Sequence, residues 1–155
     1  MKKLSETLTE LGIAFSFPIK IKDANGNQTY YENSDGFWWK CEYDEDGNET
    51  YFEDSEGFWC KYEYDDNGKC TYYETSNGFW SKTEYDSEVN HAYHEDSEGF
   101  WCKREYDENG NRTYYETSSG YTERSEYDEN GNETYYENSY GDKEGTPRAK
   151  MEEEL

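Results

Sequence analysis

Residues 43–64 read YDEDGNETYFEDSEGFWCKYEY, and this stretch recurs along the chain at a fixed interval. Its second glycine returns every 21 residues, at Gly36, Gly57, Gly78, Gly99, Gly120 and Gly141. Its first glycine keeps the same interval, at Gly26, Gly47, Gly68, Gly110 and Gly131, and the gap in that series holds Val89. Such a period indicates a repeat architecture. We therefore divide the chain into an N-terminal cap of residues 1–22, six repeats over residues 23–148 and a charged tail of residues 149–155.

Each repeat predicts two β-strands separated by glycine turns. Asp-x-Asn/Asp-Gly and Ser-x-Gly are turn sequences, and the segments between them, such as residues 27–34 and 37–43, are rich in Thr, Tyr, Phe and Trp. Connections this short join antiparallel neighbours. The repeats therefore predict an all-β fold, an antiparallel meander of six β-hairpins. Ahead of them we expect a short helix over residues 4–11, capped by Ser5, and a strand over residues 13–22 with Pro18 at the sheet edge.

The odd period constrains the turns. A shift of one residue exchanges the two faces of a strand, so equivalent residues keep their face only if one loop is even and the other odd in length. We expect a two-residue loop at Asp35-Gly36 and a three-residue loop at Glu45-Asp46-Gly47. That register places Thr29, Tyr31, Asn33, Trp38, Lys40 and Glu42 on one face, and Gln28, Tyr30, Glu32, Ser34, Phe37, Trp39, Cys41 and Tyr43 on the other. It sets Lys40 opposite Tyr31 and Phe52.

The composition of the repeats argues against an aliphatic core. Val89 is the only Ile, Leu or Val within residues 23–148, and both predicted faces carry aromatic and charged side chains. A β-sandwich needs one apolar face per sheet. We therefore expect a twisted, largely single-layer sheet held by cross-strand ladders of aromatic and charged residues. The alternative is a solenoid with one repeat per coil.

The four cysteines, Cys41, Cys60, Cys70 and Cys102, have neither zinc-type spacing nor the spacing of a disulfide framework. All four fall on the second face, and none lies opposite another. We expect reduced thiols in a cytoplasmic protein of a bacterial host. The chain has no apolar run of membrane length, and polar residues after Lys3 interrupt any signal peptide.

The junction between repeats, Glu-Tyr-Asp-x-x-Gly-Asn-x-Thr, resembles the YD repeat of Rhs and teneurin proteins. The matching stretches begin at Tyr43, Tyr64, Tyr106 and Tyr127. The resemblance concerns the repeat unit only, and it implies successive antiparallel hairpins along a strip. In that family the strip encloses a toxin in a shell or serves adhesion. Here the apolar residue usual after Gly-Asn is replaced by Gln28, Glu49, Cys70, His91, Arg112 or Glu133, and six repeats are too few to close a shell. We therefore expect the hairpin geometry without the cage.

The sequence offers no arrangement typical of catalysis. His91 and His94 are the only histidines, and residues three apart in a regular strand lie on opposite faces, which argues against a ligand pair. The serines are turn residues, so the sequence shows no pair of a nucleophile and a general base. The acidic turn at residues 44–49 has oxygen groups around a glycine, but it lacks the twelve-residue calcium loop and its final Glu. We expect ordinary hairpin turns, no metal, no cofactor and no enzymatic activity.

The charge is the strongest functional signal. The formal net charge is -23, and residues 23–148 carry all of it, with 33 Asp and Glu against 10 Lys and Arg. Twelve strands about 4.8 Å apart would carry about one net negative charge per 2.5 Å, against one per about 1.7 Å in duplex DNA. A surface this negative argues against direct binding of nucleic acid. Since the sequence has no apolar run of membrane length, we expect no membrane partner either.

We therefore expect the chain to bind a basic protein surface. The most concrete form is a DNA mimic that inhibits a nucleic-acid-binding or defence enzyme, as a phage or mobile-element product. The carboxylates expected to supply the field are Glu42, Asp44, Glu63, Asp65, Glu84, Glu105, Asp107 and Asp128, and the aromatic anchors are Trp38, Trp59, Trp80 and Trp101. Acidity that serves solubility alone is the simpler explanation. The alternative function is a structural or adhesive module that self-associates or binds glycans, and a homo-oligomer is compatible with either.

Overall fold

The computed structural model describes residues 2–88 and 90–148. Val89 and the tail at residues 149–155 lie outside the described residues. The described chain divides between Trp80 and Ser81 into two compact units. Thirteen antiparallel strands follow one another in the sheet in chain order, after one short helix. The predicted all-β meander in one open sheet is therefore confirmed, and the solenoid is excluded for this part of the chain.

The elements of the first unit are α1 (Leu4–Glu10), β1 (Ile19–Lys22), β2 (Gln28–Glu32), β3 (Trp38–Tyr43), β4 (Glu49–Asp54), β5 (Trp59–Tyr64) and β6 (Cys70–Thr75). Those that follow are β7 (Trp80–Tyr85), β8 (His91–Asp96), β9 (Trp101–Tyr106), β10 (Arg112–Thr117), β11 (Thr122–Tyr127), β12 (Glu133–Asn138) and β13 (Lys143–Gly145). The predicted helix is confirmed. The strand predicted over residues 13–22 forms only over Ile19–Lys22, directly after Pro18.

Both hairpin turns are three-residue loops. The amide of Asp44 donates to the carbonyl of Asn48 at 3.0 Å, which encloses the loop Glu45-Asp46-Gly47 as predicted. At the other turn the amide of Asn33 donates to the carbonyl of Phe37 at 2.9 Å, which encloses Ser34, Asp35 and Gly36. The two-residue loop predicted at Asp35-Gly36 is therefore wrong. Gly36 has φ 85°, the left-handed conformation that closes a three-residue hairpin loop.

The odd period comes from a β-bulge instead. Cys41 pairs with Phe52 and Glu42 with Tyr51, but Tyr43 pairs with Glu49, so Thr50 is an extra residue in β4. The same shift occurs between Glu63 and Tyr64, between Glu84 and Tyr85, and between Glu126 and Tyr127. At one of these bulges the hydroxyl of Thr71 donates to the carbonyl of Glu63 at 3.2 Å. Two three-residue loops alone would place equivalent residues of successive repeats on opposite faces of the sheet. The extra residue of the bulge brings them back to the same face.

The three-residue loop at residues 34–36 and the bulge together exchange the faces predicted for the first strand of each repeat. We call the face that carries Trp38, Lys40 and Glu42 face A, and the face that carries Phe37, Trp39, Cys41 and Tyr43 face B. Tyr30 pairs with Lys40 and Glu32 with Trp38, so both belong to face A, whereas Tyr31 pairs with Trp39 and belongs to face B. Lys40 lies opposite Tyr30 and Glu53, and the predicted neighbours Tyr31 and Phe52 are wrong.

Aromatic ladders cover small buried residues on face B. In the first unit the ring centroids of Tyr31 and Trp39 are 6.0 Å apart, and Trp39 lies 6.2 Å from Phe52. Cys41, Cys60 and Cys102 are buried, and all four cysteines are free and on face B, as predicted. Burial raises the pKa of the Cys41 thiol to about 12, with a further contribution from its hydrogen bond to Glu49, so this thiol stays protonated.

Helix α1 packs on face A of the first unit, where Leu4 and Leu8 contact Ile19, Tyr30 and Trp38. The side chain of Ser5 does not cap the helix as predicted. Instead the carboxylate of Glu32, which is 1% exposed, accepts hydrogen bonds from the Ser5 amide at 3.0 Å, the Ser5 hydroxyl and the Tyr30 hydroxyl at 2.9 Å. A residue of β2 therefore binds the N-terminus of the helix.

The aspartate of each Asp-x-x-Gly-Asn turn organises its loop. Asp44 Oδ1 accepts the amides of Asp46 at 3.0 Å and Asn48 at 2.8 Å, while Oδ2 accepts Asn48 Nδ2 at 2.9 Å. The same three bonds form at Asp23, Asp86, Asp107 and Asp128. The bond from Asn48 contributes most to a lowered pKa at Asp44. At Asp65 the Asn is replaced by Lys69, and only the backbone bonds remain.

Among the described residues, no helix has the length and apolar character needed to cross a membrane.

Replacement of Glu32 by Ala is expected to release α1 from face A. The change removes three hydrogen bonds to a buried carboxylate and leaves the Ser5 amide unpaired, which corresponds to a loss of about 2–3 kcal/mol in the free energy of unfolding of the first unit. Chemical denaturation followed by the tryptophan fluorescence of the chain measures it. The matched control is Glu63→Ala, which removes an exposed carboxylate from the same face and should cost about 0.5 kcal/mol or less. Equal losses would contradict the assignment.

Acidification is expected to weaken the same contact. Burial acts to raise the pKa of Glu32, but the hydrogen bonds from Ser5 and Tyr30 outweigh it and leave the pKa lowered. A lowered folded-state pKa stabilises the contact above the unfolded pKa of about 4.3, and this stabilisation is lost as the pH falls through the folded-state pKa. NMR of the Ser5 amide should show α1 docked from pH 8 to about pH 4.3 and released progressively as the pH falls below that value. An identical acid transition in Glu32→Gln would assign it to another carboxylate.

Lys69→Asn is expected to stabilise the first unit by about 1 kcal/mol, since it restores the side-chain bond to Asp65 that the equivalent turns have. Thermal and chemical denaturation both report it. The reciprocal change Asn48→Lys should destabilise by a similar amount, because it removes that bond at Asp44. A stabilising Asn48→Lys would show that the amide bond is not what holds the turn.

Candidate functional site

Face A carries a tyrosine–glutamate pair in each repeat. The tyrosine hydroxyl donates to the glutamate two residues further along the strand, at 2.6 Å for Tyr51 and Glu53. The same bond recurs at 3.2 Å for Tyr93–Glu95, 3.0 Å for Tyr114–Glu116 and 2.9 Å for Tyr135–Glu137. The bond to Glu53 is the main reason why the pKa of Tyr51 rises to about 12, so the phenol remains a hydrogen-bond donor at neutral pH.

The basic residues of face A are engaged by the face itself. Lys40 Nζ lies 3.4 Å from a Glu53 carboxylate oxygen and 5.2 Å from the centroid of the Tyr51 ring. Lys61 Nζ lies 5.3 Å from the Trp59 ring, and Lys103 Nζ lies 2.8 Å from Glu105. These contacts hold the ammonium groups close to the sheet. The lysines therefore neutralise carboxylates of their own face, and the negative charge presented to a partner comes from the acidic residues in excess of them.

The predicted tryptophans all lie on face A, but they are not equally accessible. Trp38 is 8% exposed because α1 covers it, so it is not available as an anchor while the helix is docked. Trp59, Trp80 and Trp101 are half-buried. Their indole rings contribute to the packing of the face and keep part of their surface open.

The predicted glutamates Glu42, Glu63, Glu84 and Glu105 are exposed on face A, one at the end of the second strand of each of four repeats. Within residues 2–88 and 90–148, the carboxylates of Glu42 and Glu63 have no hydrogen-bond or ion-pair partner. Glu105 instead binds Lys103. The predicted aspartates Asp44, Asp65, Asp107 and Asp128 sit in the adjacent turns, where their oxygens accept turn amides. They add charge, but the turn already uses their hydrogen-bonding capacity.

Two clefts open on face A, one within each unit. The cleft of the first unit has a volume of about 640 Å³ and is lined by Glu42, Thr50, Tyr51, Lys61, Glu63, Tyr72 and Glu74. The cleft of the second unit, about 510 Å³, is lined by the same positions three repeats further along: Glu105, Thr113, Tyr114, Arg124, Glu126, Tyr135 and Glu137. Pro147 also lines the second cleft. Both clefts share two tyrosines, three carboxylates and one basic position, and Lys40 and Tyr62 also line the first cleft.

Sequence reasoning missed most of these cleft residues. It placed the first-strand tyrosines on the wrong face, so Tyr51 and Tyr72 were not grouped with Glu42 and Glu63. The available signal was the Tyr-x-Glu spacing, which returns in every repeat as 30/32, 51/53, 72/74, 93/95, 114/116 and 135/137. Residues two apart in a strand share a face.

The bulge also changes the placement of the two histidines. His91 pairs with Tyr85 and His94 with Thr83, so both lie on face B, and the prediction of opposite faces is wrong because Ala92 is the extra residue between them. His94 Nδ1 lies 3.0 Å from the Thr83 hydroxyl, and the His91 ring centroid lies 4.9 Å from that of Tyr85. In the part of the chain that the structure describes, no three His, Cys, Asp or Glu residues are arranged to hold a metal ion.

Comparison with known proteins gives a match in structure but none in sequence. No protein-family model and no curated protein matches the chain. The crystal structure of TcdB2-TccC3-TEV matches with a TM-score of 0.57 at 14% identity, and that of TcdB2-TccC3 with 0.56 at 14%. The crystal structure of TcdB2-TccC3-Cdc42 matches with 0.55 at 15%.

Each match covers 76% of this chain but only 7% of the other, so the chain corresponds to a small part of those proteins. Identity this low shows likeness of fold alone. Together with the thirteen strands in chain order and the Tyr-Asp…Gly-Asn turns, it shows that the chain is a repeat module of YD-repeat-like β-hairpins.

Proposed function

We propose that the chain is a non-enzymatic acidic repeat module that binds a basic protein surface through face A. The observation that carries the proposal is the pair of exposed carboxylates at Glu42 and Glu63, which have no partner within the described residues. A carboxylate that folding leaves unpaired on a structured sheet can form a charge-assisted hydrogen bond with a lysine or arginine of a partner.

In the first unit, acidic residues are concentrated at one end of the hairpins, which indicates the end at which a basic partner would bind. Glu42 and Glu63 lie beside the turns that hold Asp44, Glu45, Asp46, Asp65 and Asp66. The turns at the opposite end of the same hairpins hold fewer acidic residues, namely Asp35, Asp54 and Glu56. A one-signed edge attracts an oppositely charged partner over roughly a Debye length, about 10 Å at 0.1 M salt. The Glu42 end is therefore the proposed contact.

The more specific form of the proposal is a DNA mimic that occupies the basic cleft of a nucleic-acid-binding or defence enzyme, in the cytoplasm of a bacterial host. Its support is the net charge of -23 on a narrow sheet whose lysines are tied to their own neighbours. Such a module would compete with duplex DNA for the same surface.

A second candidate is a structural module that mediates assembly. The fold likeness to TcdB2-TccC3, which covers 76% of this chain, favours it. The aromatic rows favour assembly over glycan binding. The planes of Tyr31 and Trp39 on face B differ by only 14° at a centroid separation of 6.0 Å, so the rings face one another and offer their edges to a ligand. Sugar rings stack on the faces of aromatic rings.

Binding of a basic protein should weaken with increasing salt, and it should depend on the carboxylates at the Glu42 end of the first unit. Immobilised protein exposed to the DNA-cellulose-binding fraction of a bacterial lysate at 50 mM salt should retain a basic protein that duplex oligonucleotide displaces. Retention should fall several-fold at 300 mM salt because screening weakens contacts between exposed charges. The double variant Glu42→Gln/Glu63→Gln should weaken retention by about tenfold, if each charge contributes about 0.7 kcal/mol.

The matched control is Asp35→Asn/Glu56→Gln, which removes the same charge from exposed side chains at the opposite end of the first unit. It should leave retention within about twofold. Equal losses of retention from both double variants would show that retention depends only on net charge, which would contradict a contact through face A. Retention unchanged between the two salt concentrations, together with self-association in sedimentation, would instead favour the structural module.

A further inference from the structure

The cleft of the second unit holds a segment of the chain itself. Pro147 lines this cleft together with Tyr114 and Tyr135. The backbone amide of Arg148 donates to Glu126 Oε2 at 2.8 Å, and its guanidinium Nη2 donates to the carbonyl of Tyr127 at 2.9 Å. Pro147 therefore lies at the cleft that the two tyrosines line, and Arg148 lies beside it, bound to Glu126 and to the carbonyl of Tyr127.

The equivalent cleft of the first unit has the same groups and is open. Tyr72 occupies the position of Tyr135 and is half-buried, whereas Tyr135 is only 8% exposed. Glu63 occupies the position of Glu126, and its carboxylate is exposed and has no partner among the described residues. The cleft thus presents both the acceptor and the aromatic wall that the second unit uses for residues 147 and 148.

The N-terminal part of the first unit shows the same mode of contact a second time. Helix α1 lies on face A and donates the Ser5 amide to Glu32 Oε2 at 3.0 Å. Two unrelated segments, one helical and one containing proline, are therefore held on face A by a backbone amide given to a glutamate. In both places the donor is a backbone amide, so this bond does not depend on the side chain of the donating residue.

We propose that the open cleft of the first unit binds a proline–arginine segment of a partner protein, in the way that the second unit holds Pro147 and Arg148. The proline ring packs against Tyr51 and Tyr72, the next backbone amide donates to Glu63, and the guanidinium reaches the carbonyl of Tyr64, the counterpart of Tyr127. The inference rests on the proposed function, because it names the kind of segment by which a basic partner engages face A.

The chemistry of the cleft fits this ligand. Proline has a pre-formed backbone and is bound in aromatic-lined grooves at low entropic cost. Three carboxylates, those of Glu42, Glu63 and Glu74, outnumber the two basic lining residues, Lys40 and Lys61, of which Lys61 matches Arg124. The second unit accommodates Arg148 although Arg124 is present, with its guanidinium carbon 5.7 Å from the Tyr114 ring. A resident basic residue on the ring therefore does not exclude the incoming arginine.

A synthetic peptide tests the proposal directly. Blocked Gly-Thr-Pro-Arg-Ala-Lys, which has the sequence of residues 145–150, is titrated into the isotope-labelled full chain and followed by NMR. The amides of β4, β5 and β6 should shift with a stoichiometry of one peptide per chain. Glu63→Gln should weaken binding about tenfold, as expected for loss of a charge-assisted hydrogen bond. Glu45→Gln, an exposed turn change of equal charge outside the cleft, should not weaken it more than about twofold.

Removal of the side chains of residues 147 and 148 from the second cleft gives an independent test, in which the number of bound peptides is measured. The double variant Pro147→Ala/Arg148→Ala should raise the stoichiometry from one peptide to two. A peptide with alanine in place of proline has the same charge, and its binding should be at least fivefold weaker. Equal binding of that peptide would overturn the cleft proposal while leaving the acidic-binder proposal intact. Failure of the original peptide to shift any amide of β4–β6 at millimolar concentration would overturn it as well.

Discussion

The extra residue in the first strand of each repeat is the constraint on which the rest of the structure depends. Two three-residue loops alone would turn every equivalent side chain to the opposite face from one repeat to the next, because strand side chains alternate. The bulge at Thr50 adds one residue, so Tyr51 returns to the face of Tyr30 and Trp59 to the face of Trp38. Face A and face B keep their chemistry only because this residue is unpaired.

Because each position of the repeat keeps its face, the same polar contacts recur between repeats. They stabilise the sheet, as the burial of aliphatic side chains stabilises an ordinary domain. The Ser55 amide donates to the carbonyl of Trp38 at 2.9 Å, and its hydroxyl accepts the Trp38 amide at 3.3 Å, so one loop closes the edge of the preceding hairpin. The Tyr64 hydroxyl donates to the carbonyl of Glu49 at 2.8 Å. Each such bond contributes about 1 kcal/mol. Their regular recurrence stabilises a sheet that buries few apolar residues.

The predictable part of this fold is the part that follows from composition and period. Hairpins, strand order, free thiols on one face and the loop closed by Gly47 all follow from local turn chemistry and a count of residues. The faces of the first strands do not, since loops of two and three residues satisfy an odd period as well as two three-residue loops with a bulge. The error carried over to Tyr30, Glu32, His91 and His94.

Other features were beyond sequence reasoning because they join residues far apart in the chain. Nothing local to Glu32 indicates that it binds the amide of Ser5, and nothing local to Glu126 indicates that it binds Arg148. The one available signal for the bulge was the threonine that follows the variable position, as at Thr71, whose hydroxyl bonds to the facing carbonyl. A hydroxyl that satisfies a ladder carbonyl is a typical companion of an unpaired residue.

The glutamates of face A explain why segments of the chain cover it where they do. Glu53 has two donors in its own sheet, the Tyr51 hydroxyl and the ammonium of Lys40. In β1 the position of Lys40 is occupied by Ile19, so Glu32 has no lysine opposite it in the sheet and is buried instead by α1, which supplies the Ser5 amide. A buried carboxylate without a second donor would be costly. The presence of Ile19 in β1 therefore accounts for the docking of α1 on Glu32. On face A, a glutamate binds an ammonium group where the sheet supplies one, and a backbone amide of another segment where it does not.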